Sequence, residues 1–126
     1  MATVSHSLAG RKQIKAMTRT AVVIFNLGGP DSLEAIKPFL FNLFNDPSII
    51  RQPRPLRWLI AKLISARRTL VAKEIYRQIG GRSPILEETR QQAEALQKNL
   101  GDGDDYRVFV AMRYWRPFAE DCAAEV

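Results

Sequence analysis

Val22-Val-Ile-Phe-Asn-Leu-Gly-Gly-Pro-Asp-Ser32 is the stretch whose reading decides the fold: a continuous apolar run breaks on two glycines and a proline, with helix-capping residues directly after. Val22 to Leu27 suits a strand buried on both faces, where apolar residues run on rather than alternate. Gly28 and Gly29 permit backbone conformations and close ligand approach that a Cβ would obstruct. Pro30 fixes the exit, and Asp31 or Ser32 can accept a bond from the free amides of a following helix. A polar floor at the carboxyl end of a strand is where open α/β sheets place ligands; a plain strand-to-helix turn has the same signature.

Tyr106 to Met112 repeats the design. It is a second compact strand, running into Arg113-Tyr114-Trp115-Arg116-Pro117. If the two strands are parallel, both turns open on one edge of the sheet. There the first turn offers backbone groups and the second a guanidinium and aromatic faces, a floor suited to a flat ligand that bears carboxylates.

The segment between the strands, about 70 residues, is too long for one crossover helix and must carry its own structure. At least four helical pieces are predicted. In the first, Leu33, Ile36, Leu40, Leu43 and Phe44 recur at helical spacing, and Pro38 should kink the helix or delay its regular part. The second follows Pro53 and Pro55: Leu56, Leu59, Ile60, Leu63 and Ile64 form an apolar face, accompanied by Arg54, Arg57, Lys62, Arg67 and Arg68. Such a helix can turn its apolar face to a core, lie on an anionic membrane or meet nucleic acid. No nucleic-acid motif accompanies the patch. The third, Val71 to Ile79, ends in Gly80-Gly81, a natural C-cap. The fourth starts with Ser83 at the cap and Pro84 at its first position and closes at Gly101 to Asp105. The alternative for Gly80 to Ser83 is a loop whose hydroxyl and amides touch a ligand.

At 126 residues the chain suggests one domain of ordinary soluble composition. The basic excess is local: Arg51 to Arg82 carries nine Lys or Arg and one acid, Glu74. The single cysteine, Cys122, excludes an internal disulfide framework and a cysteine-built metal or cluster site within this chain, and suits a reducing compartment. No run reaches the roughly 18 apolar residues of a membrane span. Residues 1–20 read as a disordered basic leader, with organellar import as the alternative.

In this order and at these separations, VVIFNLGGPDSLEAIKPFLFNLFNDPSII, RRTLVAKEIYRQIGGRSPI and VFVAMRYWRPF closely resemble the N-terminal half of ferrochelatases, from about Ala21 to the last residue. The resemblance implies an α/β fold, the N-terminal half of a two-domain, doubly wound, chelatase-like parallel-sheet architecture, with residues 21–126 as its first domain. It also implies a lyase of haem biosynthesis that inserts ferrous iron into a porphyrin. By position, Leu27 would contact the macrocycle near the metal-insertion site, Arg68, Tyr76 and Ser83 would bind or orient the porphyrin and its propionates, and Arg113 would sit deep in the pocket. The GGPDS turn is of the protoporphyrin type, so protoporphyrin IX is the expected substrate, with ferrous iron as the second. No cofactor and no iron–sulfur cluster is expected within these residues.

The resemblance further implies a hydrophobic lip, approximately Pro38 to Arg68, in contact with the bilayer: a cytoplasmic protein with peripheral membrane association and no nucleic-acid partner. Arg82 stands where a third glycine is frequent in the family, and Arg116 where histidine is. Metalation needs a base with a pKa near neutrality and a metal-delivering ligand, commonly His with Glu. The only histidine here is His6. The family's catalytic His and Glu are expected beyond Val126, so no catalytic residue is assigned in this chain, which reads as a truncated domain that folds poorly and turns over negligibly alone. The alternatives are a non-catalytic porphyrin- or haem-binding remnant and a basic membrane-surface module; a nucleotide-binding domain is disfavoured by the lack of a dinucleotide fingerprint or a phosphate-cradling loop.

Overall fold

The computed structural model describes residues 19–126. The leader expected over residues 1–20 therefore lies outside the described residues except for Arg19 and Thr20, and Thr20 is already the first residue of a strand. The elements run β1 (Thr20–Asn26), α1 (Ile36–Phe44), α2 (Arg54–Gln78), α3 (Ile85–Leu100), β2 (Tyr106–Met112) and α4 (Ala119–Glu125). β1 and β2 pair in parallel, from Thr20 opposite Tyr106 to Asn26 opposite Met112. Their carboxyl ends therefore share one edge, as the α/β reading requires.

Helix α3 packs on both strands and α4 on β2. The amide side chain of Gln97 reaches from α3 to the outer edge of β2, donating to the Tyr106 carbonyl at 3.1 Å and accepting from the Val108 amide at 2.9 Å. At the other end of that edge the Met112 amide donates to the Pro117 carbonyl at 2.7 Å. Burial on both faces of β1 is not what the structure has: Val22, Val23 and Ile24 are half-buried and Phe25 is exposed. Among the described residues the helix in contact with β1 is α3.

Helices α1 and α2 form a hairpin that packs on itself and not on the strands. Pro38 delays α1 as expected. The helix starts at Ile36, which puts proline in the first turn, where its missing N–H has no acceptor to lose. The two pieces expected after Pro53 are one 25-residue helix, because Ala66-Arg-Arg-Thr-Leu70 contains no breaker. Its exit is legible: the Gly81 amide donates to the Tyr76 carbonyl at 2.6 Å and the Gly80 amide to the Arg77 carbonyl at 3.4 Å, a Schellman pair that needs the positive φ of Gly80. Helix α3 begins one residue later than expected, at Ile85, whose amide donates to Ser83 Oγ at 3.3 Å.

The side of α2 that is buried overturns the core-facing reading of its leucines. Ala61, Ser65 and Thr69, four residues apart, are the buried positions, while Leu56, Leu59, Leu63 and Leu70 are exposed. At 3.6 residues per turn, Leu63 and Ser65 lie about 200° apart around the helix. Small side chains let α1 approach closely, and the ends of that contact are aromatic. Phe41 meets Trp58 edge-on at 6.5 Å, and the Arg68 guanidinium stands 5.3 Å over the Phe44 ring.

Candidate functional site

The two strand-end turns are joined by continuation of the sheet. The Arg113 amide donates to the Asn26 carbonyl and the Tyr114 amide to the Leu27 carbonyl, both at 3.0 Å. Gly28 makes this possible: its φ is +86°, and a Cβ there would lie 3.1 Å from Met112 Cβ and 3.3 Å from the Trp115 nitrogen. The Asn26 side chain fixes the turn from within. Its Oδ1 accepts the Leu27 amide at 2.8 Å, and its Nδ2 donates to Thr89 Oγ1 at 3.3 Å; the Thr89 hydroxyl in turn donates to the Ile85 carbonyl at 2.6 Å.

The loop after α2 closes on the same turn. The Ser83 amide donates to the Pro30 carbonyl at 2.8 Å, and Gly29 lies so close that a Cβ would fall 2.5 Å from Ser83 Oγ. The 26–30 turn is therefore joined to Ser83 on one side and to residues 113–115 on the other.

An open cleft of about 670 Å³ lies along this edge. Phe25, Leu27, Met112 and Phe118 give it an apolar wall, and Arg113 and Glu120 give it one charge of each sign. Its size is that of a small-molecule site. Leu27 is 57% exposed and Phe25 67%, so the two contribute to an exposed apolar patch rather than standing singly.

Of the expected site residues, Leu27 and Arg113 come together in this cleft. Arg113, expected deep in the pocket, lines the cleft with its side chain 55% exposed. Ser83 packs against Gly29 and lines a separate hollow of about 340 Å³ together with Arg82 and Arg90. Arg68 stands over Phe44, and half-buried Tyr76 lies in the last turn of α2; neither lines the cleft.

The aromatic faces expected from the RYWRP turn are not presented to the cleft. Tyr114 is buried, 5% exposed, and its hydroxyl donates to Asp46 Oδ2 at 2.8 Å. The Trp115 ring meets Phe118 edge-on at 6.3 Å, with Arg116 6.0 Å over it. Phe25 and Phe118 supply the cleft's aromatic surface instead.

Asp46 is the site residue that sequence reasoning missed. Its Oδ1 accepts the Ser48 amide at 2.7 Å, and its Oδ2 faces Arg113 Nη2, also at 2.7 Å. The Ser48 amide foremost, then the Tyr114 hydroxyl and the Arg113 guanidinium, hold its carboxyl at about 2 although burial pushes it up. Burial, and then Asp46 itself, push the Tyr114 hydroxyl above its ordinary value. The one local signal was Asp46-Pro-Ser48, a turn in which a carboxylate accepts the amide two residues on.

Among the described residues no three His, Cys, Asp or Glu converge on a point where a metal ion could sit. No described helix is long and apolar enough to cross a membrane.

Comparison with known proteins adds a family. The sequence model of the ferrochelatase family matches residues 19–126. The chain is 57% identical over 113 residues to a ferrochelatase of Hyphomonas neptunium, covering 86% of this chain and 32% of that protein. It is 54% identical over 110 residues to one of Wolbachia sp. subsp. Drosophila simulans, with 86% and 35% covered. Over 111 residues it is 50% identical to one of Pelagibacter ubique, with 86% and 32% covered. The chain spans about a third of the length of the curated relatives it matches.

Proposed function

The chain belongs to the ferrochelatase family, and from that premise we propose that it supplies the porphyrin-gripping part of a lyase that inserts ferrous iron into protoporphyrin IX in haem biosynthesis. The observation that carries this reading is the shared edge of the two strand-end turns, where Leu27 and Arg113 line one cleft with an apolar wall and a single guanidinium. A porphyrin is a flat apolar body with acid arms. The wall of Phe25, Leu27, Met112 and Phe118 suits the body, and the Arg113 guanidinium suits a propionate. Arg68, Tyr76 and Ser83, which lie outside this cleft, would bind or orient the porphyrin and its propionates.

Insertion also requires loss of two pyrrole protons, which calls for a base that is neutral near pH 7. The described residues contain no histidine. We assign proton removal and metal delivery to a histidine and a glutamate outside this chain. The expected result is therefore split: the 126-residue chain quenches protoporphyrin IX fluorescence saturably, and adding ferrous iron under reducing conditions produces no haem spectrum. Arg113→Ala should weaken binding about tenfold, the worth of one charge-assisted hydrogen bond. Binding that is absent, or indifferent to Leu27→Asp and Arg113→Ala alike, would sink the reading.

A second aspect rests on α2. Its exposed leucines, with Leu70 at 76%, lie among Arg54, Lys62 and Arg67, the pattern of a helix that rests on an anionic surface. We propose peripheral attachment of a cytoplasmic protein to the bilayer through this helix. Sedimentation with phosphatidylglycerol vesicles should be lost in a Leu59→Asp, Leu63→Asp double variant, and high salt alone should only weaken it. Complete release by salt would reduce the contact to electrostatics.

A further inference from the structure

Leu27 lines the cleft and Arg68 does not, yet both are expected to meet one flat ligand. Tyr114, the buried tyrosine after β2, is bonded toward both. Its amide donates to the Leu27 carbonyl at 3.0 Å. Its carbonyl accepts Asn42 Nδ2, also at 3.0 Å, and its hydroxyl donates to Asp46 Oδ2 at 2.8 Å. Asn42 and Asp46 stand on either side of Phe44, the last residue of α1, and the Arg68 guanidinium lies 5.3 Å over the Phe44 ring. A continuous path thus runs from Leu27 through Tyr114 and the end of α1 to Arg68.

The α1–α2 hairpin packs on neither strand and on no other helix. Ile36 is fully buried and fixes the start of α1, but a helix held at one end can still swing. Among the described residues, the other hydrogen bonds from residues 36–78 to the strands or to the turn after β2 go to Arg113 Nη2, from Asp46 at 2.7 Å and Ser48 at 3.4 Å. The Arg113 side chain is 55% exposed, and a long side chain bonded through one nitrogen keeps freedom to follow a moving partner.

We propose that Tyr114 is the positioning residue that fixes the end of α1, so that Phe44 holds the Arg68 guanidinium at a set place relative to Leu27. The apolar wall and this guanidinium are then offered in one register, which selects a ligand by the separation between its flat body and its acid arm. Holding both groups before the ligand arrives lowers the ordering cost of binding. The assignment of Arg68 to a porphyrin rests on the reading above; the fixing of Arg68 over Phe44 does not.

The test uses an Asn42→Ala, Tyr114→Phe double variant of the full chain, which cuts both bonds to the end of α1 and keeps the backbone bond to Leu27. NMR follows the Arg68 side-chain protons, which the Phe44 ring shifts upfield while they lie over it, and fluorescence titration follows protoporphyrin IX affinity. The double variant should lose the upfield shift and bind about tenfold more weakly. In an Arg68→Gln background the same two substitutions should cost no further affinity. A variant that is only less stable keeps the shift in its folded molecules. Retention of the shift, its absence from the wild type, or losses that add to that of Arg68→Gln would overturn the proposal. If the double variant does not fold, Tyr114→Phe alone decides: a reduced shift supports the positioning, and a shift equal to that of the wild type overturns it. If the wild type binds no porphyrin, the porphyrin reading fails, and the shift alone decides the role of Tyr114.

Discussion

Replacing Gly29 with alanine should destabilise the chain by about 3 kcal/mol, the upper range for overpacking a filled site. A methyl group there would lie 2.5 Å from Ser83 Oγ, 2.6 Å from Ser83 Cβ and 3.1 Å from Ile85 Cγ2. Ser83 Oγ could rotate about χ1, but Ser83 Cβ is fixed to the backbone and cannot. Relief therefore requires the 80–83 loop to move, which breaks the bond from the Ser83 amide to the Pro30 carbonyl. The same movement would shift Ile85, to whose carbonyl Thr89 bonds while holding Asn26. The effect should thus reach the cleft through Asn26 and Leu27. Urea denaturation of Gly29→Ala reads the loss directly. Adding Ser83→Gly should recover part of it, because two of the three obstructing atoms disappear. A Gly29→Ala chain with an unchanged midpoint would mean that the loop does not lock the turn.

Acid should remove a second large contribution, traceable to one carboxylate. Asp46 falls from 3.8 to about 2 on folding, which is worth about 2 kcal/mol in favour of the folded state. The folded pKa is the lower one. The stabilisation is therefore complete above about pH 5 and disappears as pH falls through the folded value of about 2. Wild type and Asp46→Asn should differ by roughly this amount at neutral pH, and the gap should close in acid. Denaturant midpoints of both proteins over that range provide the measurement, and a gap that stays constant with pH would exclude the ionised carboxylate as its source. At the alkaline end Tyr114 acts in the opposite sense: its raised folded value contributes stability that is present below the ordinary tyrosine range and lost as the hydroxyl ionises.

Much of the frame was legible because its signals are local. Two apolar runs stopped by Gly-Gly-Pro and by Trp-Arg-Pro marked the two strands, and their shared edge followed once the pairing was parallel. Gly80-Gly81 announced the end of α2, and Pro38 its effect on α1. The errors concern what lies across from a residue. The leucines of α2 repeat with a helical period whether they face a core or the outside, and only the position of α1 decides that the Ala61, Ser65 and Thr69 side is covered. Tyr114 reads as a ligand-facing aromatic until its hydroxyl is seen to end on Asp46, 68 residues away in the chain. The cleft itself was legible as two turns meeting; the carboxylate that disciplines its arginine was not, since no periodicity links an acid in a helix connection to a guanidinium after a strand.

The bonds along the outer side of β2 carry a topological meaning. Gln97 meets the Tyr106 carbonyl and the Val108 amide as the peptide group of a neighbouring strand would, and the Pro117 carbonyl takes the Met112 amide at the opposite end. A strand arriving there would have to displace both before it could form a ladder, so the device protects an edge that would otherwise be a template for another chain. Among the described residues the outer edge of β2 is thus covered at both ends.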